Sequence, residues 1–380
     1  MKKTLPLYFS NAIVYSLNAL YYCFIQIYIA KFHPEETTGI LLSIGPFVAI
    51  FAPLMWGLLA DRAKSKNLVL AAAMLGSAIC YFLIGRGHSF WYLALTLFLT
   101  MLFMAPFGGL VDTVTLEYTT ENGIKYGPIR ICGTIAFGGL PMLLTLFTEK
   151  DINLIFPVYV LLAIAGAAAV MLSPKVAGHG TAEQKPSILP LFRDGNLMLI
   201  FLFVGVSQFT WAYYLNYFPS HLASLGFSQS VWGINVFLTA LGELPFFLMF
   251  NTLFERLGMR RLLGISLLLC TIRYAGLALI QNAPLLLALG FITGVATTVF
   301  TYCGSYYITK CIPPESKASA NQLMYALGNG LPKVLAGVIG GKMTAAFGCV
   351  RSLVLCSVLC LAALGLFLVT RKRFENGCRK

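Results

Sequence analysis

The sequence predicts an all-α polytopic membrane protein, with twelve transmembrane helices arranged as two pseudo-symmetric six-helix bundles. Three observations predict it. First, 58% of the 380 residues are hydrophobic, only 11% are charged, and mean hydropathy is +0.80. A soluble core cannot hide that much apolar surface. Second, the apolar residues fall into twelve runs, at 5–30, 38–60, 68–85, 90–116, 128–148, 153–172, 196–219, 230–253, 261–280, 284–309, 319–345 and 350–370. About 20 residues carry an α-helix across the hydrocarbon layer. Third, the chain repeats itself at a shift of 194 residues, which places Gly57 on Asn251, Asp61 on Glu255, Arg62 on Arg256 and Lys66 on Arg260. Internal repeats of this kind are typical of membrane proteins built from two related halves.

The runs divide the chain into an N-terminal bundle (1–172), a polar linker (173–195), a C-terminal bundle (196–371) and a tail (372–380). The linker carries Gly178, Gly180, Lys185, Pro186 and Pro190. The opening Met1-Lys2-Lys3 precedes an uncharged run up to Lys31, too long for a cleaved leader and without a clear cleavage site. It reads as the first spanning helix.

The net charge of +13 would point to nucleic acid if it were clustered on a soluble domain. It is not clustered. With the N-terminus inside, only Lys31, Arg86, Lys150, Lys342 and Arg351 of the 27 Lys and Arg fall outside, and Arg273 and Lys333 fall within helices. The rest are cytoplasmic, as the positive-inside rule requires, and both termini are expected in the cytoplasm. The charge encodes topology, so the expected partners are the lipid bilayer and a small molecule, not nucleic acid. The ten cysteines are scattered without a C-x-x-C pair and read as small apolar residues, not a disulfide framework or metal site. His33, His88, His179 and His221 all fall in loops or at helix ends.

Functional candidates come from polar groups that lipid would reject. In the hairpin from Phe107 to Phe137, Asp112 and Arg130 each lie nine residues from Glu121, near the middle of the loop, and so stand level across the two arms. Charges at membrane depth pair or face water and mark functional sites by default. Both also lie within two turns of the loop, so an anchor pair at the interface satisfies the same pattern. In the first helix, Asn11, Tyr15, Asn18 and Tyr22 recur at spacings of 4, 3 and 4 on one face. Substrate contact and helix-to-helix hydrogen bonding both account for such a stripe. In the seventh, Gln208 and Trp211 lie deeper than Tyr213, Tyr214, Asn216 and Tyr217, part of which suits an interfacial aromatic belt.

The eighth and ninth helices carry Glu243 and Arg273, the latter twelve residues beyond Arg261 and so about 18 Å deep. Burial favours the protonated carboxyl and a nearby arginine favours the ionised one, so protonation of Glu243 can follow conformation. In the eleventh helix, Gln322, Tyr325, Asn329 and Lys333 form one face, with Pro332 interrupting the hydrogen-bond ladder. Arg130, Arg273 and Lys333 against Asp112 and Glu243 lean toward an acidic solute. Asp61 and Arg62, repeated as Glu255 and Arg256, are gating candidates: a carboxylate ending one helix can cap the next and pair with arginine, a latch that opens when the halves rock.

The run Tyr126-Gly127-Pro128-Ile129-Arg130-Ile131-Cys132-Gly133-Thr134-Ile135-Ala136-Phe137 resembles the start of the fifth helix in the lactose-permease-like branch of the major facilitator superfamily. That branch includes oligosaccharide, nucleoside and phenylpropionate proton symporters. Gly57 to Lys66 is similar to the superfamily's signature loop, and Gly242-Glu243-Leu244-Pro245 with Arg273 to the branch's eighth and ninth helices. The resemblance implies a major facilitator fold in a bacterial inner membrane, a monomer, and no cofactor beyond the proton gradient. It implies uptake of a sugar, nucleoside or aromatic acid, with Asp112 and Arg130 clasping substrate beside Asn18, Tyr22, Gln208, Trp211, Asn329 and Lys333. Glu243 and Arg273 would serve proton coupling. The tenth helix departs from lactose permease, because 284–309 has no histidine or acid and offers Thr297, Thr298, Thr301, Tyr302, Tyr306 and Tyr307 instead. Proton-coupled efflux is the rival, although Gly138-Gly139-Leu140-Pro141 does not match the exporters' glycine-proline motif. An enzyme is not expected, since no H-E-x-x-H motif or Asp-rich cluster occurs, and ATP-driven transport is not expected without a P-loop.

Overall fold

The computed structural model describes residues 4–176, 189–313 and 316–374. The linker residues 177–188 and the tail residues 375–380 of the predicted division lie outside them. The described residues form helices without strands: α1 (Leu5–Ile29), α2 (Glu35–Arg62), α3 (Lys66–Ile84), α4 (Phe90–Met104), α5 (Phe107–Glu121), α6 (Tyr126–Thr148), α7 (Ile155–Leu172), α8 (Gly195–Ser224), α9 (Gln229–Leu279), α10 (Ala283–Cys311), α11 (Lys317–Leu323) and α12 (Leu331–Thr370).

Helix ends follow local chemistry. Pro106, which has no N–H to donate, separates α4 from α5 within one 32-residue apolar stretch, Phe90–Glu121. The 51 residues of α9 would extend about 77 Å as one rod, more than twice the hydrocarbon thickness. The chain instead reverses at Gly258, where φ is 71° and ψ is 164°, a conformation open to glycine because it lacks Cβ. The same reversal at Gly348 splits α12, with φ 76° and ψ 164°. Ten stretches among the described residues are long and apolar enough to span, and the two glycines divide α9 and α12 each into two helical arms. Large apolar side chains face outward, among them Trp91, Leu172 and Val369, as lipid solvation allows.

The chain separates into two compact units, Met1–Ala182 with Ser228–Ala240, and Glu183–Phe227 with Leu241–Lys380. In unit 1, α1 packs against α6 and α7, α3 against α4 and α7, and α2 against α4. The first turns of α9 belong to this unit. Trp232 Nε1 donates to the Cys23 carbonyl at 3.1 Å, Thr148 donates to Gln229 at 3.3 Å, and Gly233 lies so close to α6 that a Cβ there would stand 2.8 Å from the Pro141 carbonyl. In unit 2, α8 packs on α10 and α12. Tyr217 there donates to the Gly337 carbonyl at 2.8 Å, and Tyr213 and Thr344 share a hydrogen bond of the same length. Eight cysteines are free thiols, but Cys311, at the end of α10, is disulfide-bonded. That corrects the expectation of purely apolar cysteines: this one closes the apolar stretch Ala283–Cys311.

Candidate functional site

The short loop between α5 and α6 holds the two helices side by side and brings Asp112 to Arg130, with Oδ1 to Nε at 3.8 Å. Both side chains are half-buried. Tyr15 of α1 organises the pair. Its hydroxyl donates to Asp112 Oδ2 at 3.1 Å, and its ring lies under the guanidinium, 4.1 Å from the arginine carbon. Arg130 Nη1 also donates to Thr134 Oγ1, one turn on, at 3.0 Å. Asp112 Oδ1 is buried and accepts no hydrogen bond among the described residues. At 3.8 Å the carboxylate and guanidinium attract without closing. A hydroxyl can donate to Oδ1 and accept from the guanidinium in that gap, which suits a polar solute.

The stripe on α1 divides between the two roles left open by its spacing. Asn11 is structural, since its amide donates to Thr115 at 2.8 Å and to the Leu7 carbonyl at 2.9 Å. Tyr15 holds the ion pair. Asn18 and Tyr22, half-buried farther along α1, make no hydrogen bond among the described residues and remain open to a ligand.

Tyr15 can reach the pair only because Gly133 leaves room. A Cβ at Gly133 would stand 2.4 Å from the tyrosine ring. Gly133→Ala should therefore push Tyr15 off both Asp112 and Arg130 and weaken solute binding by about tenfold, on the scale of one hydrogen bond to a charged group. Titration of purified protein with bound solute checks this, and unchanged affinity would place Tyr15 outside the site.

In unit 2, Arg273 is buried, its guanidinium carbon 4.3 Å from the ring centre of Tyr214, 4.6 Å from Tyr274 and 5.9 Å from Trp211. Trp211 is half-buried and stacks on Tyr214 at 5.5 Å, and Gln208 lies buried about one turn before it. The expected pairing of Glu243 with Arg273 is not made, since none of the three arginine nitrogens has a hydrogen-bond partner among the described residues. Glu243 is half-buried on the other arm of α9 and engaged in other interactions. The reversal at Gly258 puts the two on separate helices, and aromatic rings fill the space around the arginine.

The face expected of Gln322, Tyr325, Asn329 and Lys333 is interrupted. Residues Met324–Gly330 form a π-helix, whose i→i+5 bonds take more residues per turn and rotate the next turns out of register. Gln322 and Tyr325 are exposed, while Asn329 and Lys333 are half-buried. Asn329 donates within its own turn to the Met324 carbonyl, and Lys333 forms no ion pair among the described residues.

The gating candidates lie at exposed helix ends. Asp61 and Arg62 close α2, and Glu255 and Arg256 precede Gly258. No ion pair joins any of them among the described residues, and Asp61 does not cap α3, whose N-cap Ser65 has no side-chain bond. Lys66, one turn beyond, is the residue that pairs: its Nζ meets Glu117 Oε1 of α5 at 2.5 Å. Asn67 beside it donates to the carbonyls of Val170 and Pro174 and accepts from Val176 N, so the end of α7 is tied to the start of α3.

The sequence pattern of the MFS_1 like family matches residues 7–354. The chain belongs to the MFS_1 like family. It is 26% identical over 346 residues to the uncharacterized transporter YwbF of Bacillus subtilis, covering 89% of this chain and 85% of that protein. It is 26% identical over 316 residues to the maltose permease of Geobacillus stearothermophilus, covering 80% and 78%. The crystal structure of the nucleoside transporter NupG superposes with a TM-score of 0.80 at 20% identity, over 100% of this chain and 100% of that one. This member of the MFS_1 like family is thus a multi-pass membrane transporter with the major facilitator fold.

Three residues of the described sites were not singled out in the sequence. Glu117 stands level with Lys125 in its own hairpin, each four residues from Glu121, yet its partner in the fold is Lys66 at the start of α3, which sequence spacing alone does not bring near. Thr134 sits four residues after Arg130, a spacing that would have flagged it. Tyr274 adjoins Arg273 in sequence and carries no spacing signal of its own.

Proposed function

We propose that this transporter is a proton-coupled symporter that takes up a small polar organic solute, a sugar, a nucleoside or an aromatic acid, by alternating access. The observation that carries this reading is the open pair of Asp112 and Arg130, held apart at 3.8 Å by Tyr15 and Thr134 with an acceptor of Asp112 unused. A charged donor and acceptor fixed by neighbours, with space between them, form a preorganised clasp for hydroxyls. The solutes named for the relatives, maltose and nucleosides, are of that kind. Glu243 is the proposed proton carrier, a carboxylate at membrane depth that does not pair with Arg273. The chain would work as a monomer in the bacterial inner membrane with both termini cytoplasmic. It would need no cofactor beyond the proton gradient.

Reconstitution into vesicles with an imposed pH gradient tests this. Labelled solute should accumulate and a protonophore should abolish the accumulation. Glu243→Gln should lose accumulation and keep solute exchange. Full accumulation by that variant would exclude Glu243 as the coupling acid, and solute leaving as protons enter would replace uptake with efflux.

A further inference from the structure

The proton-coupling role leaves Arg273 unexplained. It is 1% exposed, and Nε, Nη1 and Nη2 are all without a hydrogen-bond partner among the described residues. No carboxylate lies within ion-pair distance of it among those residues. Its neighbours are the faces of Tyr214, Tyr274 and Trp211. Ring faces attract a cation but satisfy its five N–H donors poorly. Arginine does not escape burial by losing its proton, so a buried guanidinium stays charged and calls for a counter-charge with hydrogen bonds.

We propose that Arg273 receives the carboxylate of the transported solute, and that the solute is an aromatic carboxylate whose ring lies against Trp211 and Tyr214. This rests on the uptake reading above and selects one of the solute classes left open there. The planar guanidinium fork matches a carboxylate in bidentate geometry, which an ammonium does not offer. Trp211 is the most distant of the three rings and the one that is half-exposed, so turning its indole uncovers the arginine. The stacked pair of Trp211 and Tyr214, with planes 28° apart, presents an aromatic wall beside the charge. Lys333 is a second cation of unit 2 without an ion pair among the described residues.

The test uses the purified full chain and aryl-alkyl carboxylates with one to three methylenes, each beside its carboxamide. Thermal stabilisation and quenching of tryptophan fluorescence are read together. The acids should bind on the order of ten- to a hundredfold more tightly than the amides. Arg273→Gln should remove that preference, Arg273→Lys should keep part of it, and Trp211→Phe should lose the quenching but keep the stabilisation. Should Arg273→Gln fail to fold, the acid and amide comparison on the unaltered protein still decides. Equal binding of acid and amide, or equal stabilisation by acetate and chloride, would overturn the proposal. Proton-driven accumulation of a sugar or nucleoside by a protein that ignores the acids would overturn it while leaving the uptake reading intact. Acid-selective binding without proton-driven accumulation would do the reverse.

Discussion

Arg130→Lys is expected to weaken solute binding by on the order of ten- to a hundredfold while leaving thermal stability close to that of the unaltered protein. The substitution keeps the charge and removes the fork. Arg130 uses its plane twice, once flat over Tyr15 at 4.1 Å and once edge-on to Thr134 at 3.0 Å, and it still presents Nε toward Asp112. A lysine ammonium is a compact, strongly hydrated point charge and cannot make all three contacts from one position. The expected loss therefore comes from orientation. Asp112→Asn probes the other side: it keeps an acceptor for a ligand hydroxyl but lowers the charge that polarises it, so its effect should be smaller than that of Asp112→Ala. Calorimetric titration of the three variants with the transported solute would check the order. Unchanged affinity in Arg130→Lys would remove Arg130 from the site.

The hairpin was legible because its information is local. Level placement of Asp112 and Arg130 depends only on two helices and a short loop, and the pair indeed meets. What the sequence conceals is what a third helix brings. The stripe on α1 has one spacing, yet Asn11 braces α5, Tyr15 organises the ion pair, and Asn18 and Tyr22 stay open. Helical spacing reports a shared face, and the depth of the neighbouring helix decides what each residue on that face meets. Counting residues places Arg273 at membrane depth, but its surroundings depend on α8, where the sequence gives the depth of Trp211 without showing which helix it and Tyr214 face. The face on the eleventh helix assumed 3.6 residues per turn, and the π-helix at Met324–Gly330 breaks that assumption. The twelve spans needed no partner to be read, since hydrocarbon thickness sets their length and lipid sets their composition.

The Lys66 to Glu117 pair should carry the largest stability effect of any single contact in unit 1. Lys66 is 4% exposed, and its Nζ pairs with Glu117 Oε1 while its backbone N–H donates to the Val176 carbonyl at 2.9 Å. Removing the carboxylate strands a buried ammonium. Breaking a fully buried pair costs about 3–5 kcal/mol, and because the Glu117 side chain is 28% exposed, about 2 kcal/mol is the appropriate expectation for Glu117→Ala. Glu117 has other interactions too, so a single substitution does not isolate the pair. A double-mutant cycle does. Lys66→Met combined with Glu117→Leu should be more stable than either single variant, since an apolar pair of similar volume avoids the desolvation penalty altogether. Recovery in the double variant would assign the cost to the stranded charge, whereas additive losses would assign it to packing around Val176, which sits with Leu7, Val114 and Ile129. The second outcome would make Asn67, which ties the end of α7 to the start of α3, the residue on which that end of unit 1 depends.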